Sequence, residues 1–168
     1  MNEFILNNNA FGFLLTDVSR LFRQAFEKSI MEAGLDLTPG EVRALAHVAR
    51  APNSRQTAIA ERMGVEPMTL SAYLDRLETR ELIHREVDPT DRRAKIVTLT
   101  DKAVDVFERI RPLATAVYEQ TTTGLDEETC KMMLSALATM RLNLSSDPVL
   151  RQPWAGESHA AIPQAEAN

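Results

Sequence analysis

The residues best placed to do chemistry are cations. Arg92, Arg93 and Lys95 follow the polar run Asp88-Pro89-Thr90-Asp91. Guanidinium groups at the tip of a thin ribbon can reach into the minor groove of DNA, where negative potential is focused. Asp91 beside them would oppose phosphate binding by its charge, and it makes sense as a partner that orients a guanidinium by a charge-assisted hydrogen bond. A plain exposed turn with a local ion pair is the alternative. A second group lies upstream: Met68, Thr69, Ser71, Ala72 and Arg76 share one side of an expected helix whose other side is Leu70, Leu74 and Leu77. Most of these side chains are short and uncharged. They suit a surface that lies close against base edges in a major groove, and equally a solvated helix face.

Other chemistries find little support. The histidines are His47, His84 and His159, with no helical ligand spacing, and Cys130 is the lone cysteine, so there is no zinc signature and no internal disulfide. The six glycines do not cluster into a phosphate-cradling loop. Neither catalysis, nor a cofactor, nor a metal is expected. The 168 residues are 44% apolar and 26% charged, the range of a globular protein. With 19 Lys and Arg against 24 Asp and Glu, the net charge is −5, which excludes a uniformly basic coat but not a local basic device. No apolar run is long enough to span a bilayer. Met1-Asn2-Glu3-Phe4 has no basic start before an apolar stretch, so no secretory signal and a cytoplasmic location are expected.

These groups need elements to hold them. Phe11, Leu14, Leu15, Val18, Leu21, Phe22, Phe26 and Ile30 have helical spacing, and Gly34 stops the run. Thr38-Pro39-Gly40-Glu41 is a start signal with the capping-box spacing. The helix it opens breaks at Pro52-Asn53. Ser54 is expected to cap the next helix, which ends at Gly64. Another begins near Glu66-Pro67 and runs to about Arg80. Two short helices around Gly64-Val65 form a helix-turn-helix pattern. Ile83 to Val87 then alternates, and with Ile96 to Leu99 it predicts a β-hairpin with Asp91-Arg92-Arg93 at its tip. Thr100-Asp101 opens a long helix that Pro112 should kink. Gly124-Leu125-Asp126 separates it from a last helix carrying Cys130, Met133, Leu137, Met140 and Leu144. From Ser145 the pattern fails, and 145–168 reads as a mostly unstructured tail to which Trp154 could give one anchor.

Leu37-Thr38-Pro39, Ile59-Ala60-Glu61-Arg62-Met63-Gly64-Val65, Thr69-Leu70-Ser71, Leu74-Asp75-Arg76-Leu77-Glu78, Leu82-Ile83 and Asp88-Pro89-Thr90-Asp91-Arg92-Arg93-Ala94-Lys95 with Leu99-Thr100 resemble, in order and spacing, the MarR family of winged helix-turn-helix regulators over roughly residues 10–144. The resemblance implies a mainly α fold with a small β-hairpin wing, in which a winged helix-turn-helix lobe joins a helical dimerisation bundle. Residues 1–36 and 101–144 would form the bundle and 37–100 the lobe. It implies a homodimer that reads a pseudo-palindromic operator in double-stranded DNA, a repressor released by a small, often aromatic ligand bound between bundle and lobe. The DNA contacts would be Ser54, Arg55, Gln56, Pro67, Met68, Thr69, Ser71, Ala72, Arg76, Arg92, Arg93 and Lys95. Arg93 would probe the minor groove, with Asp91 and Asp75 positioning the wing. Ser19, Arg20 and His47 could approach a ligand pocket.

The sequence departs from the family pattern at Ala72, where a long polar residue is common, at Glu66, in place of Ser or Asp, and at Glu81, in place of glycine. Peroxide-sensing relatives carry their reactive cysteine near the N-terminus, so Cys130 reads as a small core residue. Between Ser54 and Lys95 there are eight basic and eight acidic residues. DNA binding must then depend on placement, with the acids expected on the bundle side. The competing reading is a dimeric small-molecule-binding or protein-interaction module that has lost DNA binding.

Overall fold

The computed structural model describes residues 2–151. Helix α1 (Asn2–Glu32) ends where Gly34 takes a positive φ of 60°. Helix α2 (Pro39–Arg50) starts with the full reciprocal cap: the Glu41 amide donates to Thr38 Oγ1 (3.3 Å), and the Thr38 amide donates to Glu41 Oε2 (2.8 Å). Strand β1 (Ser54–Arg55) leads into α3 (Gln56–Met63), which Gly64 closes at φ 63°. Helix α4 (Pro67–Thr79) is followed by strands β2 (Ile83–Asp88) and β3 (Asp91–Leu99), then α5 (Lys102–Thr121) and α6 (Glu127–Leu144). The fold is mainly α with one antiparallel sheet in the order β1-β3-β2.

The lobe has its own core. Leu45 and Val48 of α2, Ile59 and Met63 of α3, and Leu70, Leu74 and Leu77 of α4 pack with Ile83, Val97 and, from α5, Ala103 and Phe107. The apolar stripes read from the sequence are the faces that meet here. A smaller cluster of Ile30, Val42 and Ile110 joins α1 and α5 to the lobe. Upstream of it α1 is uncovered: Phe13 is 68% exposed, and Phe11, Leu14, Val18 and Leu21 are also open.

Three expectations are corrected. Ser54 does not cap α3. It lies in β1 opposite Val97, and Arg55 occupies the cap position without a side-chain bond. The hairpin tip is Pro89-Thr90, so Asp91, Arg92 and Arg93 belong to β3. Pairing passes from Val87↔Lys95 directly to Asp88↔Asp91. Residues 92–94 are therefore extra on β3 and bulge from the ladder. Helix α5 contains Pro112, as the sequence led one to expect. Residues 145–151 form a turn with side-chain bonds, while Trp154 lies outside the described residues.

Candidate nucleic-acid interface

Helix α4 presents its polar side because Leu70, Leu74 and Leu77 hold the opposite side in the core. Pro67, Met68 and Thr69 are exposed, Met68 by 82%, while Ser71 and Ala72 are half-buried. Between α4 and the wing runs a groove of about 460 Å³. It brings together Arg55, Gln56, Pro67, Met68, Ser71, Asp75, Arg93 and Lys95 of the residues anticipated from sequence, with Arg85 in addition. Thr69, Ala72, Arg76 and Arg92 do not line it. Ser54 is turned inward, its Oγ accepting from Arg62 Nη1 at 2.8 Å.

The wing tip is built on Asp88, a buried carboxylate the sequence reading had treated only as a turn residue. Its Oδ1 accepts the Thr90 hydroxyl and amide, both at 2.7 Å, and its Oδ2 accepts Arg55 Nε at 2.6 Å. The Thr90 bonds, then Arg55, pull its pKa down to about 2. Arg55 Nη2 also donates to Thr90 Oγ1 (3.2 Å), and Nη1 lies 3.9 Å from Asp91. Arg55 thus braces the wing. Asp91 accepts the backbone amide of Arg93 at 3.0 Å. It fixes the chain that carries Arg93 and not, as anticipated, the guanidinium.

Asp75 reaches the wing through Arg85 of β2, whose Nη2 lies 2.8 Å from Asp75 Oδ1. Arg85 also binds Glu78, through Nε at 2.9 Å, through Nη2, and through its amide at 3.2 Å. Those bonds hold the Glu78 carboxyl below its ordinary pKa. Arg85 locks reader helix to wing. Only its place in an alternating strand was visible in the sequence.

Arg76 is corrected as a groove residue. Its Nε donates to Glu41 of α2, and its guanidinium lies over the Tyr73 ring at 5.5 Å from the centroid. Glu41 is 1% exposed. Burial raises its pKa, but the Thr38 amide, Arg76 and the Thr38 hydroxyl together lower it further, so it stays a carboxylate. Arg80 adds a contact at 3.9 Å.

The three residues named for a ligand do not converge. Ser19 and Arg20 line a groove whose walls all belong to α1. His47 lies elsewhere. Burial, with the charges of Arg50, Arg43 and Arg62, pushes its pKa down to about 4, and its buried Nδ1 has no partner among the described residues. Cys130 is buried on α6 beside Tyr118. Among the described residues no group of three His, Cys, Asp or Glu is placed to hold a metal, and no helix is long and apolar enough to cross a membrane.

Charge placement follows from these pairs. Of the eight cations from Ser54 to Lys95, Arg55, Arg62, Arg76, Arg80 and Arg85 are bound to carboxylates. Arg92, Arg93 and Lys95 make no ion pair with another described residue, and all three are exposed on one stretch of β3. Asp75, Glu78, Asp88 and Asp91 are not on the bundle side, as anticipated. They pair with arginines of the lobe, Asp88 buried, Asp91 half-buried and Asp75 exposed.

Two short helices around Gly64-Val65 with a hairpin beside them that carries cations on its second strand make this a winged helix-turn-helix fold. Solved structures align with most of the chain. A MarR-family transcriptional regulator from Silicibacter pomeroyi is 25% identical, with 82% of this chain and 91% of the other covered and a TM-score of 0.68. A MarR transcriptional regulator from Methanosarcina mazei Go1 is 19% identical, covering 80% and 96%, with a TM-score of 0.68. BpsR of Bordetella bronchiseptica, from a structure described as the mechanism for regulation of its DNA binding by 6-hydroxynicotinic acid, is 23% identical, covering 78% and 98%, with a TM-score of 0.64. The model of the MarR family matches residues 37–95, the lobe from α2 to β3, and over these residues the chain is similar to that family.

Proposed function

We propose that the chain is a homodimeric repressor that binds a pseudo-palindromic operator and releases it when a small aromatic ligand binds. The observation that carries the DNA-binding part is the set of cations Arg92 and Arg93 on the β3 bulge and Lys95 just after it, which make no ion pair among the described residues. From Ser54 to Lys95 every other cation is held by a carboxylate, so the charge left there to meet phosphate is gathered at the wing, beside the polar face of α4. Helix α4 enters the major groove with Met68, Thr69, Ser71 and Ala72 toward the bases. Arg93 enters the adjoining minor groove, and Arg92, Lys95 and the half-buried Gln56 meet the backbone.

The ligand reading is supported by BpsR, whose DNA binding is regulated by 6-hydroxynicotinic acid, and by a cavity at the junction of lobe and bundle. That cavity, about 280 Å³, has Leu35, Leu37, Leu82 and Val106 as apolar walls, with Asp36 and the cations Arg80, Lys102 and Arg109, of which Arg80 pairs with Asp36 and Lys102 with Glu81. Such a lining suits a small aromatic acid.

Electrophoretic mobility shift with the region upstream of the chain's own gene tests the proposal. Specific binding is expected, and addition of 6-hydroxynicotinic acid provides a first effector trial. Arg93→Ala should cost about 1–3 kcal/mol of binding and flatten the salt dependence. Arg76→Ala should cost much less, since that guanidinium is turned to Glu41. Asp91→Ala removes a negative charge yet should weaken binding, because the Arg93 amide loses its acceptor. Tighter binding by Asp91→Ala at two salt concentrations would show that the wing acts by charge alone.

A further inference from the structure

The chain does not run free after α6. Residues 145–151 turn back on themselves around one carboxylate. The Asp147 amide donates to Ser145 Oγ (3.1 Å), Asp147 Oδ1 accepts the Val149 amide (2.8 Å), and the Asp147 carbonyl accepts the Arg151 amide (2.9 Å). Arg151 Nη1 donates to the carbonyls of Leu142 (3.0 Å) and Ser145 (3.1 Å). Those carbonyls are among the acceptors a helix end leaves unsatisfied. The turn is tied to the helix it leaves, and the Asp147 side chain is presented in a fixed direction.

What it meets is Arg62 of α3, 85 residues earlier. Arg62 Nε donates to Oδ2 at 2.7 Å and Nη2 to Oδ1 at 3.4 Å. The Arg62 side chain is only 9% exposed. Its remaining nitrogen, Nη1, donates to Ser54 Oγ. Ser54 begins β1, and its neighbour Arg55 holds Asp88 and Thr90 at the wing tip. Hydrogen bonds and one peptide link thus run without a break from the end of the last bundle helix to the wing. Arg50, at the end of α2, feels Arg141 and Arg62 as like charges and Asp147 as the opposing one.

We propose that the turn after α6 is a clasp that positions the DNA-reading lobe: Asp147 holds Arg62 and, through Ser54, the strand that braces the wing. The inference rests on the DNA-binding reading above. An exposed ion pair would contribute almost nothing. Here the guanidinium is mostly buried and held at two points, and removing its acid leaves a buried cation among other cations. The lobe then loses the ion pair that ties it to the turn after α6.

Charge alone predicts the opposite sign. Removing an acid from a chain of net charge −5 should tighten DNA binding. The clasp requires it to weaken binding. The test uses the full chain, with Asp147→Asn and Asp147→Glu, on a duplex that the unaltered chain has selected from a random library. Affinity is read at two salt concentrations. The rate of tryptic cleavage after Arg151 is read without DNA, because cleavage requires Arg151 to leave the Leu142 and Ser145 carbonyls.

Asp147→Asn should be cleaved several-fold faster and bind the duplex on the order of threefold to tenfold more weakly. Its salt slope should be unchanged, since no phosphate contact is lost. Asp147→Glu, which keeps a carboxylate, should move both readouts back toward the unaltered chain. An unchanged cleavage rate would show that the acid does not hold the turn. Faster cleavage with unchanged or tighter DNA binding would show that the turn does not position the lobe. If the unaltered chain selects no duplex, the DNA-binding reading fails and the positioning role fails with it, while the cleavage rates still report on the Asp147–Arg62 contact alone.

Discussion

Arg85 sits on a strand and binds two acids one helical turn apart on α4, so a single guanidinium fixes the angle between reader helix and wing. Its fork suits two carboxylates in a way a lysine point charge does not. His47 shows the other side of burial. The unfolded chain takes up its proton near 6.5, the folded chain only near about 4. Between those values the unfolded state holds more protons, so this contribution to stability is complete above 6.5 and is lost as pH falls toward 4. With screening allowed for at a half-buried ring, the loss should be about 1 kcal/mol at pH 5. Urea midpoints at pH 7 and pH 5 should differ by that amount in the unaltered chain, and by less in His47→Gln. The wing cations were legible in the sequence because they are adjacent and exposed. The pairings of Arg76 with Glu41 and of Arg62 with Asp147 were not, because partners 35 and 85 positions apart meet only through packing.

Helix ends show how far local signals carry. The Thr38–Glu41 cap was readable because it is local. The end of α4 was readable in place but not in kind. The Glu81 amide donates to the Glu78 carbonyl (2.8 Å) and the Leu82 amide to the Leu77 carbonyl (3.0 Å), closing the last turn around a left-handed residue. That residue is Glu81, at φ 60°. A side chain there costs roughly 1–2 kcal/mol. Glu81→Gly should therefore raise stability by about 1 kcal/mol in a denaturant titration, the exposed pair with Lys102 counting for little. Gly40 has the opposite need. A Cβ there would lie 2.5 Å from Tyr73 Cζ, so the Tyr73 ring of α4 rests against α2 in this position only without one. Gly40→Ala should cost about 1–3 kcal/mol by crowding, and Tyr73→Leu in the same chain should recover part of it. Strand β1 escaped the sequence reading for a physical reason: two residues carry no periodicity, and they become a strand only against Val97 and Ile96.

The chain as a whole is incomplete where α1 leaves the lobe. Its uncovered row, Phe11 to Leu21, is continuous along several turns, and α6 adds Met132 and Leu137. Single exposed apolar residues are ordinary, but a contiguous patch of this kind marks a contact surface. A second copy is the occupant that the family resemblance implies. Sedimentation should show a particle of twice the monomer mass at micromolar concentration. Leu14→Asp with Val18→Asp should shift it toward the monomer and weaken DNA binding if, as proposed, two lobes read one operator with their reader helices about 34–36 Å apart. A monodisperse monomer from the unaltered chain would remove that reading. The apolar stripe was visible in the sequence. Which part meets this chain's own core was not, since Ile30 and Phe22 belong to the same pattern and only Ile30 is covered from within.

The bulge on β3 bears on how the wing can change over generations. A residue gained or lost in a paired stretch turns every later side chain to the other face. Residues 92–94 stand outside the ladder, between the Asp88↔Asp91 and Val87↔Lys95 pairs. Length can vary there without re-threading either strand, and the core contact of Val97 is kept. The segment that presents Arg92 and Arg93 is thus the part of the wing freest to be lengthened, shortened or recoded. Relatives with the same lobe could acquire different operators by small insertions at this one place, and a designer could do the same.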